Sequence, residues 1–146
     1  MKSITINGSK RAYAYSKFLK SDVVICYKQR QKANVISHME LIGDVNGKNV
    51  ILVDDMVDTA GTLTKAAELM IERGAKSVRA VCTHGILSGS AHERVENSKL
   101  EELIITDSIP SKMKSSKIRI LSCAELFGST MRNVHSNKSI NENFIN

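Results

Sequence analysis

Residues 52–62 read LVDDMVDTAGT. An apolar run ends in Asp54 and Asp55, Asp58 follows three residues on, and Thr59, Ala60, Gly61 and Thr62 lead into LTKAAELMIERGA (63–75). In that last stretch Leu63, Ala66, Ala67, Met70 and Ile71 recur at i, i+3, i+4, i+7 and i+8, the period of an amphipathic helix. Gly74 stands where a C-terminal cap belongs. The order is therefore strand, acidic pair, small-residue turn, helix. The N–H groups that open a helix have no partner within it and suit an anion. Ala60 and Gly61 are small enough for the backbone to close on a phosphate, and Thr59 and Thr62 can add hydroxyl donors. The carboxylates repel a phosphate and need hydrogen-bond donors or a cation, which sugar hydroxyls and Mg²⁺ both supply. A phosphorylated sugar satisfies both halves at once. The plainer alternative makes Asp58 a helix N-cap and the other acids a solvated strand end. Neither GxxxxGK[ST] nor GxGxxG occurs.

Outward from this stretch, strands and helices alternate. KRAYAYSKFL (10–19) is predicted helical, with Ala12, Tyr15, Phe18 and Leu19 near one face. DVVICY (22–27) is a strand, and the polar KQRQKAN (28–34), which has no period, reads as a loop. HMELIGDV and KNVILVDD, joined by Asn46-Gly47, read as a hairpin. SVRAVCT (77–83), ELIIT (102–106) and IRILS (118–122) are further strands. Ser90 with Glu93, and Ser122 with Glu125, have the capping-box spacing that starts a helix. After the second, Cys123, Leu126, Phe127, Met131 and Val134 share one helical face. The residues from Ser136 onward are polar and read as a loose tail. Strands apolar throughout, alternating with helices, imply an α/β fold: a mostly parallel sheet with helices on both faces. Ligands bind such sheets beyond the carboxyl ends of their strands, where the acidic pair lies.

The chain has 146 residues, the expected size of one domain, and a net charge of +6 that reads largely as solubility. The lysines near 10–20 and 112–117 look like solvated faces. With three Phe, three Tyr and no Trp, a stacking platform for nucleic acid is not expected. No apolar stretch approaches a membrane span, and the first ten residues lack an apolar signal core, so the expectation is cytoplasmic, without membrane contact. Cys26, Cys82 and Cys123 each sit in an apolar run and read as buried, reduced thiols. His38, His84, His92 and His135 have no metal-ligand spacing and read as surface or capping residues.

ILVDDMVDTAGT resembles the ribose-phosphate motif of the type I phosphoribosyltransferase-like fold. Together with GSKRAYAYSKFL, YKQRQKANV, IGDVNGKNV, THGILSG, ITDSIP and LSCAELF it resembles the C-terminal half of the ribose-phosphate pyrophosphokinase family, from about Gly8 to His135. The resemblance implies Mg²⁺-dependent transfer of the diphosphoryl group of ATP to ribose 5-phosphate, giving 5-phosphoribosyl 1-diphosphate and AMP. It implies that Asp58, Thr59, Ala60, Gly61 and Thr62 hold the 5-phosphate. Asp54 and Asp55 would engage the ribose hydroxyls, directly or through metal and water. Lys28 and Arg30 match the basic pair of the family's catalytic loop, and a homo-oligomer is implied for the full-length form.

Three departures stand out. Gln29 sits between the basic pair where the family has Arg. Gly85 replaces a common proline, which predicts a looser loop. Thr5 occupies a place where the family carries a metal-binding aspartate, so the metal ligands are left open. The family's N-terminal half, with most of the ATP pocket, has no counterpart in these 146 residues, so the isolated chain is expected to be inactive or nearly so. Two other readings remain: a non-catalytic sugar-phosphate-binding or regulatory subunit, and a phosphoribosyltransferase.

Overall fold

The computed structural model describes residues 2–6, 9–32, 35–111 and 115–144, with the backbone alone for 2–6, 9–12, 28–32 and 35–38. In chain order the elements are β1 (Lys2–Ile6), α1 (Ser9–Leu19), β2 (Asp22–Lys32), β3 (Val35–Ile42), β4 (Asn49–Val57), α2 (Gly61–Glu72), β5 (Ser77–Gly85), α3 (Ala91–Glu96), β6 (Glu102–Thr106), β7 (Ile118–Leu121) and α4 (Ala124–His135). A 3₁₀ turn spans Asn141–Asn143.

The strands form one sheet in the order β3-β2-β1-β4-β5-β6-β7. Every neighbouring pair is parallel except β2 with β3. From β1 the chain steps through α1 to β2 on one side, and from β4 it steps through α2 to β5 on the other. Right-handed crossovers running in opposite directions place their helices on opposite faces. The packing agrees. Val24, Cys26, Val50 and Leu52 share a core with Ala66, Ala67 and Met70 of α2, whereas Val53, Val23 and Ile51 meet Tyr15 of α1. The order therefore reverses between β1 and β4, and a crevice opens at the carboxyl ends of those two strands.

β1 is an interior strand of the sheet, between β2 and β4, and sequence patterning missed it. SITI carries only two large apolar side chains, and its strand character comes from being paired on both edges: Thr5 lies between Val24 and Leu52. The predicted hairpin also needs correction. Asn46-Gly47 does turn, with Gly47 at φ 67°, but the turn carries the chain from β3 at the sheet edge to β4 beyond β1. The antiparallel hairpin is β2 with β3, and it takes in residues 28–32, read from sequence as loop. Lys28 pairs with Met39 and Arg30 with Ile36, with register shifts on either side of Arg30. Polarity alone did not argue for a loop there, because a hairpin satisfies its own main-chain groups. Ala33 and Asn34 lie outside the described residues, as does Gly8.

α2 ends as predicted: Gly74 at φ 87° lets the Gly74 N–H reach the Ile71 carbonyl and the Ala75 N–H reach that of Met70. Neither capping box forms. Ser90 is the N-cap of α3, but its φ of −85° and ψ of 20° keep its hydroxyl off the first-turn amides. The Ser122 hydroxyl donates to Asp107 Oδ2 at 2.6 Å, and Cys123 is the N-cap of α4 instead. This hydroxyl and the Cys123 N–H hold the Asp107 carboxyl below its ordinary range. The hydroxyls of Ser116 and Ser115 pull the Glu96 carboxyl down to about 2.

Other readings shift with tertiary contact. In α1, Ser16 is buried and Tyr15 half-buried, while Phe18 and Leu19 are exposed. α4 has no buried residue, and Leu126, Phe127, Met131 and Val134 lie in the open. Cys26 and Cys82 are buried free thiols, but Cys123, at the uncovered start of α4, is only half-buried. Lys117 is pinned rather than solvated, its Nζ donating to the Ser98 carbonyl at 2.8 Å. Lys112 to Lys114 lie outside the described residues. The tail is not loose throughout, since Asn143 Nδ2 donates to Thr130 Oγ1 at 2.8 Å.

Gly85, predicted to loosen its loop, is a close-approach site. A Cβ there would lie 2.5 Å from Ile105 Cδ1, 3.2 Å from Ile105 Cγ2 and 3.3 Å from Ile105 Cβ. Ile105 is fully buried, so it has little room to retreat. Gly85→Ala is expected to cost about 1–3 kcal/mol by overpacking. Urea denaturation checks this, and an unchanged midpoint would refute the close approach.

Candidate functional site

The acids sit at the carboxyl end of β4, which stays in register with β5 from Asp54 opposite Cys82 to Val57 opposite Gly85. Val50 and Leu52 face the α2 side. Asp54 Oδ1 accepts the Asp55 N–H at 3.0 Å, and Asp55 Oδ1 accepts the Met56 N–H at 3.1 Å. Asp54 is half-buried and Asp55 exposed, beside the crevice between β1 and β4.

The chain then turns into α2 through Ala60, whose φ of 60° and ψ of 0° are left-handed. A non-glycine residue there carries roughly 1–2 kcal/mol of strain. Ala60 is buried and offers no side-chain cap, so it brings the backbone of residues 58–61 round without filling the space in front of it. Among the described residues, a Cβ on Gly61 would meet only Thr59 Oγ1 and Arg94 Nη1, each at 3.9 Å. No described residue obstructs the start of α2 at Gly61, and its amides and dipole favour an anion.

Asp58 is not the N-cap: its carboxylate accepts the Ser88 hydroxyl instead. Asp54, Asp55, Asp58, Thr59, Ala60, Gly61 and Thr62 are thus brought together in one strand–turn–helix unit at the switch point. Thr64 closes the first turn, its hydroxyl donating to the Ala60 carbonyl at 3.0 Å. Lys28 and Arg30 lie on the outer half of β2, in the hairpin, with only their backbone described.

Sequence reasoning singled out neither Ser88 nor Arg94 as site residues. Both come from the segment after β5, and no periodicity marks them. Nor did it find the pairing of His84 Nδ1 with Ser108 Oγ at 2.9 Å, across the carboxyl ends of β5 and β6. Cys82 lies beside Asp54 in the sheet register. Burial, and after it the charge of Asp54, push its thiol up to about 12. It stays protonated and is no nucleophile.

Among the described residues no three His, Cys, Asp or Glu side chains group as a metal cage. The adjacent carboxylates of Asp54 and Asp55 nevertheless fit Mg²⁺, a hard cation that keeps several waters and commonly takes only one or two protein carboxylates.

Residues 9–145 match the family described as the phosphoribosyl synthetase-associated domain. The chain is 53% identical over 135 residues to the ribose-phosphate pyrophosphokinase of Porphyromonas gingivalis, covering 92% of this chain and 43% of that protein. It therefore spans about half the length of the curated relatives it matches. It superimposes on the crystal structure of phosphoribosylpyrophosphate synthetase from Mycobacterium smegmatis with a TM-score of 0.79 and 32% identity, over 93% of this chain and 45% of the other. An adenine phosphoribosyltransferase structure shares the fold alone, with a TM-score of 0.55 and 16% identity over 68% of this chain and 64% of the other. A strand–acid–turn–helix unit at the switch point of a mixed α/β sheet, matched over nearly its whole length, means that this chain belongs to the phosphoribosyl synthetase-associated domain family.

Proposed function

We propose that this chain is the ribose 5-phosphate-binding half of a ribose-phosphate diphosphokinase, working with a second half that supplies most of the ATP site. The observation that carries the reading is the left-handed turn at Ala60, opening onto a helix start that no described residue obstructs, directly after the Asp54–Asp55 pair. In this reading the backbone of Asp58 to Thr62 takes the 5-phosphate. Asp54 and Asp55 accept hydrogen bonds from the ribose hydroxyls and orient the anomeric hydroxyl for in-line attack. Lys28 and Arg30 neutralise charge on the diphosphoryl group as it moves, which is most of what phosphoryl-type transfer asks of a protein. Mg²⁺, when bound, neutralises the phosphate oxygens, and Asp54 and Asp55 would be its protein ligands. The products are 5-phosphoribosyl 1-diphosphate and AMP, and the working form is a cytoplasmic homo-oligomer.

Titration calorimetry with ribose 5-phosphate and with ribose tests the sugar-phosphate site in this chain. The phosphorylated sugar is expected to bind at least about 100-fold more tightly, because hydrogen bonds to a charged group are each worth about 1.5–3 kcal/mol. Equal affinity for the two sugars would overturn the reading.

A further inference from the structure

Three consecutive carbonyls of the turn are held by one distant segment. The Val57 carbonyl accepts the Ile86 N–H at 2.9 Å and the Leu87 N–H at 3.2 Å, and that of Asp58 accepts the Ser88 N–H at 3.1 Å. The Thr59 carbonyl accepts Arg94 Nη1 at 2.8 Å. The Ser88 hydroxyl meanwhile holds the Asp58 carboxylate. In a trans peptide the C=O and the following N–H point in opposite directions. Pulling these three carbonyls toward residues 86–94 therefore turns the N–H groups of Asp58, Thr59 and Ala60 the other way. Successive N–H groups aimed to one side of a turn form an anion-binding concavity. The same contacts over-determine the strained Ala60, as a conformation of that cost requires.

We propose that Ser88 and Arg94 are positioning residues that preset the sugar-phosphate turn, Arg94 through the Thr59 carbonyl and Ser88 through Asp58. The inference rests on the sugar-phosphate reading above and adds to it residues outside the strand–turn–helix unit. Arg94 acts here through geometry. Its guanidinium, fixed on a carbonyl, orients the Ala60 amide, and this effect does not decay with ionic strength as a screened charge would.

The test measures ribose 5-phosphate binding to the chain carrying Ser88→Ala, Arg94→Gln, both, or Ser88→Thr, at low salt and at 0.5 M NaCl, with thermal melting of each. Each single substitution is expected to weaken binding about tenfold at both salt concentrations, since each removes a hydrogen bond to or from a charged group. Ser88→Thr, which keeps the hydroxyl, should restore most of the affinity. The double variant should lose less than the product of the singles, because both act on one turn. Ser88 and Arg94 are exposed, so melting should shift little; should Ser88→Ala lower it, recovery of affinity by Ser88→Thr decides the matter. Unchanged affinity in both single variants overturns the inference, as does an Arg94→Gln loss that vanishes at high salt. If the unsubstituted chain does not distinguish ribose 5-phosphate from ribose, it is the functional reading that fails, and the inference with it.

Discussion

Gly61→Val is expected to lower ribose 5-phosphate affinity by about 100-fold or more while the chain remains folded. The two halves of this result have separate causes. Among the described residues, a Cβ at residue 61 would make only ordinary contacts, with Thr59 Oγ1 and with Arg94 Nη1, the end of a flexible side chain. Valine is also a better helix former than glycine, so the melting temperature should hold or rise slightly. The space it enters is the space proposed for the phosphate, at the first residue of α2. Losing two charge-assisted hydrogen bonds there accounts for about 100-fold or more. Calorimetry beside thermal melting checks both halves. A variant that folds and binds as tightly as the unsubstituted chain would place the phosphate elsewhere.

The role proposed for Lys28 predicts the other large effect, on rate rather than on binding. Lys28→Ala, made in this chain joined to the remaining half of a ribose-phosphate pyrophosphokinase, should lower kcat about 10²–10³-fold, as removal of one preorganised electrostatic stabiliser does. The dissociation constant for ribose 5-phosphate should move less than about threefold, because the contact forms mainly in the transition state. Steady-state kinetics together with ribose 5-phosphate titration separates the two quantities. An unchanged kcat would reduce Lys28 to a surface residue of β2. The hairpin bears on this role: Lys28 and Arg30 stand on paired backbone, with a register shift beside Arg30.

Where a segment's fold depends on its neighbours along the chain, the amino-acid sequence alone was enough. The α2 stripe, its Gly74 cap and the chain of apolar strands from β4 to β7 follow from side-chain period and local backbone preference. So does the placing of Asp54, Asp55 and Asp58 between a strand and a helix, because one continuous segment builds that unit. Tertiary structure decided everything that depends on residues far apart. β1 is a strand because β2 and β4 flank it, and KSITI lacks the apolar run that marks the strands from β4 onward. The polar stretch 28–32 is a strand because β3 folds back upon it. The hydroxyls of Ser88 and Ser122 donate to Asp58 and Asp107, 30 and 15 residues away, which no local spacing announces. The orientation of the amides at Asp58, Thr59 and Ala60 has the same origin. A backbone carbonyl has no sequence signature, and only the arrival of residues 86–94 on carbonyls 57–59 determines which way the turn faces.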